Sequence, residues 1–114
     1  MENKALKEEI VNTKFCPMEF AMNKSAGKWK LVILWHIYEN EEIRFNELMR
    51  SINKITHKML SYQLKELVND GFVHKEMYKQ IPPKVEYSLT DHGKTLVPIM
   101  KMLFEWGSKH RKTN

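Results

Sequence analysis

The chain has 114 residues, 42% of them apolar and 29% charged. At roughly 100 to 200 residues per domain, 1–114 is expected to be a single domain. The apolar share excludes wholesale disorder, and a chain this short gains from extra burial in a dimer. The longest unbroken apolar run, Leu31 to Trp35, is far short of the ~20 residues of a membrane span, so no membrane role is expected. The N-terminal stretch MENKALKEEI is charged and has no apolar h-region, which argues against a signal peptide. One cysteine cannot form an internal disulfide, and a reducing cytoplasm is the expected location. The 19 basic and 14 acidic side chains leave a net charge of +5, which suits an anionic partner without naming one.

Glycine and proline are sparse, and no repeat or low-complexity tract is present. Ala5 to Val11 reads as a modest N-terminal helix carrying Leu6, Ile10 and Val11. Cys16-Pro17 opens a second helix, since proline fits a first helical turn. It uses Phe20, Ala21 and Ala26 and stops at Gly27. Trp29 to Tyr38 is apolar on most faces and reads as the central buried helix. Glu39 to Glu42 is a turn, and Ile43-Arg44-Phe45 is short and extended. Asn46 is the expected cap of a helix over Glu47 to Ile52, with Leu48, Met49 and Ile52 inward.

After a tight connection, Thr56 caps a helix from His57 to Asn69, stopped by Asp70-Gly71. Phe72 to Tyr78 and Val85 to Leu89 alternate as strands around the stiff Gln80-Ile81-Pro82-Pro83-Lys84 loop, giving a hairpin. Thr90 caps a final helix from Asp91 to about His110, with a bend expected near Gly93 and Pro98. Its apolar residues cover more than one face, and the second stripe calls for another chain.

The fold expected is mainly α with a small antiparallel β-hairpin: a helix-turn-helix followed by a hairpin, the winged-helix arrangement. In such a fold one helix packs one face on the core and offers its polar face to a DNA groove. The hairpin adds cationic contacts to the adjacent backbone.

The residues Cys16-Pro17-Met18-Glu19, Gly27-Lys28-Trp29-Lys30 and Arg44-Phe45-Asn46-Glu47-Leu48 add a further signal. So do Lys58-Met59-Leu60, Leu64-Lys65-Glu66-Leu67, Asp70-Gly71-Phe72-Val73, Pro82 to Thr90 and Glu105-Trp106-Gly107. In this order and spacing, from Cys16 to Gly107, the sequence resembles the HxlR-type winged helix-turn-helix transcription regulators. The resemblance implies a cytoplasmic homodimer on palindromic operator DNA, with repression the expected sign of regulation. It implies dimerisation through the N-terminal arm (1–15) and the C-terminal helix (91–110). The interface candidates on these are Leu6, Ile10, Val97, Met100, Leu103, Phe104 and Trp106.

On the 57–69 helix, at about 100° per residue, Leu60, Leu64, Leu67 and Val68 cluster on one side. Lys58, Ser61, Tyr62, Lys65 and Asn69 fall on the other. Lys58 and Lys65 can reach phosphates or guanine edges, Ser61 a base or phosphate, and Tyr62 a phosphate or a thymine methyl. Thr56 and the helix N-terminus can donate backbone N–H groups to a phosphate, and His57 lies in the same turn. In the wing, Lys75, Lys79 and Lys84 suit backbone positioning rather than base readout. Arg44 can contact a phosphate or pair with a nearby Glu. Trp29 reads as core; Lys28 and Lys30 beside it can contact phosphates or serve as ordinary surface lysines.

Cys16, at a helix N-cap with Lys14 nearby, can be an activated thiol open to oxidants, quinones or aldehydes. The resemblance adds that several such regulators sense these agents through a cysteine at a matching position. A switch here needs an intersubunit disulfide, a mixed disulfide or an adduct. The alternative is a half-buried cysteine acting as a small apolar group.

No metal site is read from the scattered His36, His57, His74, His92 and His110, no cofactor is expected, and no catalytic motif is present. Two other functions stay open at this point. One is a winged-helix module used for protein contact. The other is a regulator controlled by a small ligand rather than by Cys16.

Overall fold

The computed structural model describes residues 15–25 and 27–111. The expected 5–11 helix, Leu6, Ile10 and Ala26 lie outside the described residues. The elements are α1 (Pro17–Ser25), α2 (Lys30–Asn40), β1 (Glu42–Arg44), α3 (Phe45–Ser51), α4 (His57–Asn69), β2 (Val73–Tyr78), β3 (Lys84–Leu89), α5 (Asp91–Lys94) and α6 (Val97–His110). This is the winged helix-turn-helix order, with α3 and α4 as the two helices of the motif.

The core is built where the apolar spacing placed it. Ile33, Leu34 and Ile37 of α2, Leu48 of α3, and Leu60, Leu64 and Leu67 of α4 are almost wholly buried. Ile43, Ile52, Ile55, Phe72, Val73, Tyr87 and Met100 close around them. Trp29 is half-buried against the same cluster.

The hairpin is one part of a three-stranded antiparallel sheet in the order β1-β3-β2. Its register pairs Val73 with Leu89 and Tyr78 with Lys84, while β1 pairs Ile43 with Tyr87 and Arg44 with Glu86. The short strand before α3 therefore anchors the wing to the helix-turn-helix.

Several boundaries differ from the sequence expectation; the 39–42 turn, for one, is helix up to Asn40 and strand from Glu42. Two of the differences have a clear physical cause. The α3 helix begins at Phe45, not Glu47, and Arg44 rather than Asn46 stands at its cap. Glu47 makes this possible: its Oε1 accepts the Arg44 backbone N–H at 2.9 Å, so β1 runs into the helix without a loop. The last helix is not continuous from Asp91 to His110 but is interrupted at Thr95 and Leu96. Pro98 has no N–H, and its ring would clash with the carbonyl four residues back, so a new helix starts with the proline in its first turn.

The Thr90 hydroxyl oxygen accepts from the Gly93 N–H at 2.9 Å, and the hydroxyl also donates to the Gly71 carbonyl. Gly71 itself takes a φ of +83° at the end of α4, a left-handed conformation that glycine adopts at little cost.

Candidate nucleic-acid interface

The α4 helix is fixed at its start by Thr56, whose Oγ1 accepts the Met59 N–H at 3.0 Å. Its leucines lock one face into the core, so the opposite face is determined. Lys58, Ser61, Tyr62, Lys65 and Asn69 are all exposed there. His57 is exposed in the first turn, its ring against Phe45 with centroids 4.7 Å apart.

A shallow groove runs from this face to the wing, lined by Ser61, Lys65 and Asn69 on one side and Lys75 and Tyr87 on the other. A second groove lies at the wing root, where Arg44 and Arg50 face Pro83 and Lys84. The groove between α4 and the wing thus carries Lys65 and Lys75, and the wing-root groove carries Arg44, Arg50 and Lys84.

The wing lysines differ from one another. Lys79 is exposed near the tip. Lys84 is tied down: its Nζ lies 3.3 Å from Glu86 Oε2 and 4.9 Å from the centre of the Tyr78 ring. Part-burial raises the Glu86 carboxyl, but Lys84, Tyr78 and Arg44 together outweigh it and hold the group below the usual carboxylate range. Part-burial and the nearby Glu86 push the Tyr78 phenol up. Arg44 stays exposed beside Glu86, so the two readings of this arginine, phosphate contact and pairing with a Glu, meet at one place.

Lys30 does not lie on the surface with Lys28. It is only 8% exposed, and its Nζ sits 2.7 Å from Glu66 Oε1 on α4. Glu66 Oε2 accepts the Tyr62 hydroxyl at 2.8 Å. The Lys30 ammonium, followed by the Tyr62 hydroxyl, holds the Glu66 carboxyl below its ordinary value, and the carboxylate in turn raises the Tyr62 phenol. An aliphatic stem with a charged end suits such a half-covered position.

The sequence reading missed this triad and missed Arg50. Tyr62 and Glu66 are an i, i+4 pair, a visible signal. The link to Lys30, 36 residues away in the chain, is set by tertiary packing.

The likeness to known proteins covers this same surface. A family model described as HxlR-like helix-turn-helix matches residues 25–114. The chain belongs to the HxlR family. The HTH-type regulator BH0655 of Halalkalibacterium halodurans is 49% identical over 105 residues, which are 92% of this chain and 93% of that one. YybR of Bacillus subtilis, also an HTH-type transcriptional regulator, is 48% identical over 100 residues, 88% of this chain and 79% of its own. Among solved structures, the redox regulator HypR in its oxidized form matches with a TM-score of 0.82 at 48% identity. That match covers 86% of this chain and all of the HypR chain.

HxlR membership makes the chain a DNA-binding winged helix-turn-helix transcription regulator and not an enzyme. Members of the HxlR family bind DNA and are typically dimeric. No helix among the described residues is long and apolar enough to cross a membrane.

The C-terminal helix carries an uncovered apolar surface. Ile99, Met102, Leu103, Phe104 and Trp106 are each at least half exposed along α6. Met100 is not on this surface: it is 3% exposed and packs in its own core beside α2, about 160° around α6 from Met102, while Leu103 and Phe104 flank it at the edge of the covered face. Val97 is likewise half-buried against the core.

The α1 helix and Phe15 before it also leave apolar side chains uncovered, with Phe15, Met18, Phe20 and Met22 exposed. Cys16 is part-exposed at the start of α1, and its carbonyl accepts the Phe20 N–H at 3.0 Å, as a capping residue's does. Among the described residues no cluster of His, Cys, Asp and Glu is arranged to hold a metal.

Proposed function

We propose that two copies of the chain bind a pseudo-palindromic operator and regulate transcription from it, as a repressor. The single observation that carries this reading is the continuous exposed face of α4 beside the wing. There Lys58, Ser61, Tyr62 and Lys65 stand opposite a fully packed leucine stripe. In this reading the two α4 helices enter successive major grooves about 34 Å apart. Lys58, Lys65 and His57 meet phosphates and base edges, Ser61 and Tyr62 meet bases, and Thr56 presents the helix N-terminus to a phosphate.

Arg44, Lys79 and Lys84 place the wing along the flanking backbone, and the wing-root groove adds Arg50 to this set. The uncovered stripe of α6, with Leu103, Phe104 and Trp106, joins the two copies. Val97 borders that stripe, and Leu6 and Ile10 of the N-terminal arm belong to the same interface.

The test is a titration of the purified protein against its own upstream region at two salt concentrations. Preference over random DNA, weakening steeply with salt, is the expected result. Affinity equal to that for random DNA would overturn the reading.

A specific observation favours a sensing role as well. Cys16 is part-exposed at a helix start, and the similar HypR structure is that of a redox regulator. A two-electron oxidant such as diamide would join the Cys16 thiols of two copies as a disulfide, two electrons and two protons passing to the oxidant. With a small thiol present, the same oxidant would join it to Cys16 as a mixed disulfide instead, again taking up two electrons and two protons. Quinones or aldehydes would give an adduct. Cys16→Ser should bind DNA unchanged and lose any response to diamide. An identical response in both proteins would make Cys16 structural.

A further inference from the structure

The Tyr62 side chain stands near the middle of the exposed face of α4, between Lys58 and Lys65, and 56% of it is open to solvent. A tyrosine there has two ways to meet DNA. Its hydroxyl can donate to a phosphate or a base acceptor, or its ring can lie against a thymine methyl. The two make different demands on the hydroxyl, and the structure decides between them.

The hydroxyl is already committed. It donates to Glu66 Oε2 at 2.8 Å, while the other oxygen of that carboxylate takes the Lys30 ammonium at 2.7 Å. Lys30 is anchored in α2, nine-tenths buried, so the carboxylate is held from beneath by a residue that cannot easily follow a ligand. A carboxylate shared by an ammonium and a phenol makes two charge-assisted hydrogen bonds, stronger than the neutral kind. Turning the Tyr62 proton to a phosphate would break one of them and bring a second anion towards Glu66. The ring pays no such penalty, and its exposed face and edge are apolar.

We propose that Lys30 and Glu66 are positioning residues that draw the Tyr62 hydroxyl aside and leave its ring as a reader of a thymine methyl in the major groove. This inference rests on the placement of α4 in the major groove argued above. Lys30, although a cation beside a DNA-binding surface, then acts on specificity through Tyr62 and not by touching a phosphate.

The probe is a duplex enriched from a randomised pool by the full-length protein, followed by replacement of each thymine with deoxyuridine, which removes only the methyl group. Wild type should lose about fourfold in affinity at one thymine per half-site, the value of one buried methyl group. Tyr62→Phe should keep that loss, because the hydroxyl is not used on DNA. Tyr62→Ala should bind thymine and deoxyuridine duplexes alike. Glu66→Gln and Lys30→Met should shrink the discrimination while retaining affinity for random DNA, a change that mere loss of fold would not produce. Glu66→Gln, on a more exposed side chain, serves if Lys30→Met is unstable.

Two results would overturn the inference: no thymine whose methyl matters to wild type, or a thymine-over-deoxyuridine discrimination that disappears in Tyr62→Phe as it does in Tyr62→Ala. Lys58→Ala with Lys65→Ala separates this from failure of the broader reading. If that pair lowers DNA affinity while deoxyuridine has no effect, only the thymine-reading role falls. If the pair has no effect, α4 is not the DNA-binding helix and both readings fall together.

Discussion

The Phe104 ring lies stacked on the Trp35 indole, their centroids 4.9 Å apart and their planes 25° from parallel. This contact docks α6 on α2. Stacked aromatic pairs of this kind are worth about 0.5–1.5 kcal/mol beyond the area they bury. Yet Phe104 remains 52% exposed, so one side of its ring serves the monomer and the other is free for a partner. Leu103 and Met102 continue the uncovered surface, at 53% and 71%. Leu103→Asp should therefore give a folded monomer, since the charge falls on a surface its own chain does not cover. Sedimentation velocity would show this, and a Leu103→Asp protein still dimeric would place the interface elsewhere.

Met100 provides the opposite control on the same helix. It is buried in its own chain's core, and truncating such a side chain costs about 2–5 kcal/mol. Met100→Ala should lower the thermal midpoint of the protein while leaving the exposed α6 surface proposed for dimer contact in place. A Met100→Ala protein with unchanged stability would contradict its inward placement.

Gly93 packs its Cα against the backbone of Phe72, where an added Cβ would overlap the Phe72 carbonyl oxygen. That oxygen also accepts the Thr90 N–H, which ties the start of α5 to the turn between α4 and β2. Neither partner can move without loss, because both are backbone. Gly93→Ala should cost about 1–3 kcal/mol, the usual penalty of overpacking. Chemical denaturation at fixed protein concentration would measure it. An alanine variant as stable as wild type would mean that this junction is looser than described.

Much of this architecture was legible in the sequence because the signals were local. Thr56 and Thr90 are good caps and do cap, by hydrogen bonds to residues three positions on. The α4 leucines repeat at helical spacing, and they alone fix which residues of that helix can face DNA. Boundaries decided by competing local effects were less legible. Asn46 is a good capping residue, but Glu47 reaches back to the Arg44 N–H and starts the helix earlier. The roles of individual cations were hidden for a different reason. Lys30 and Lys28 look alike in the chain, yet one is buried on Glu66 and the other lies over the Trp29 ring at 4.7 Å. Which of two neighbouring lysines turns inward depends on a carboxylate brought there by α4. Met100 and Met102 pose the same problem, and helix phase alone separates them.

Lys58 and Lys65 are exposed one turn to either side of Tyr62. If each meets a phosphate, replacing one by alanine should weaken binding to all sequences and lower the slope of log affinity against log salt by about 1 per copy of the chain engaged. Anisotropy titrations at several salt concentrations give that slope directly. A variant that loses discrimination between operators with an unchanged slope would instead assign that lysine to a base edge.

The Lys30–Glu66–Tyr62 triad also predicts how stability changes with pH. The Lys30 ammonium holds the Glu66 carboxyl below its ordinary value in the folded protein. The folded state therefore favours the ionised form. Its contribution is complete above the ordinary carboxylate range and is lost as pH falls through the lowered folded value. The same carboxylate raises the Tyr62 phenol, so that contribution is present below the ordinary tyrosine value and is lost as pH rises through the raised one. Glu66→Gln removes both contributions. Wild type should thus exceed Glu66→Gln in stability around neutral pH. The gap should narrow progressively as pH falls below the usual carboxylate value and on through the lowered folded one, where an uncharged Glu66 no longer acts on Lys30 or Tyr62. Urea midpoints for the two proteins at matched concentration would test this, because any dimer contribution is then held constant. A gap that stayed constant from neutral to acid pH would show that the Glu66 charge is not what binds α2 to α4.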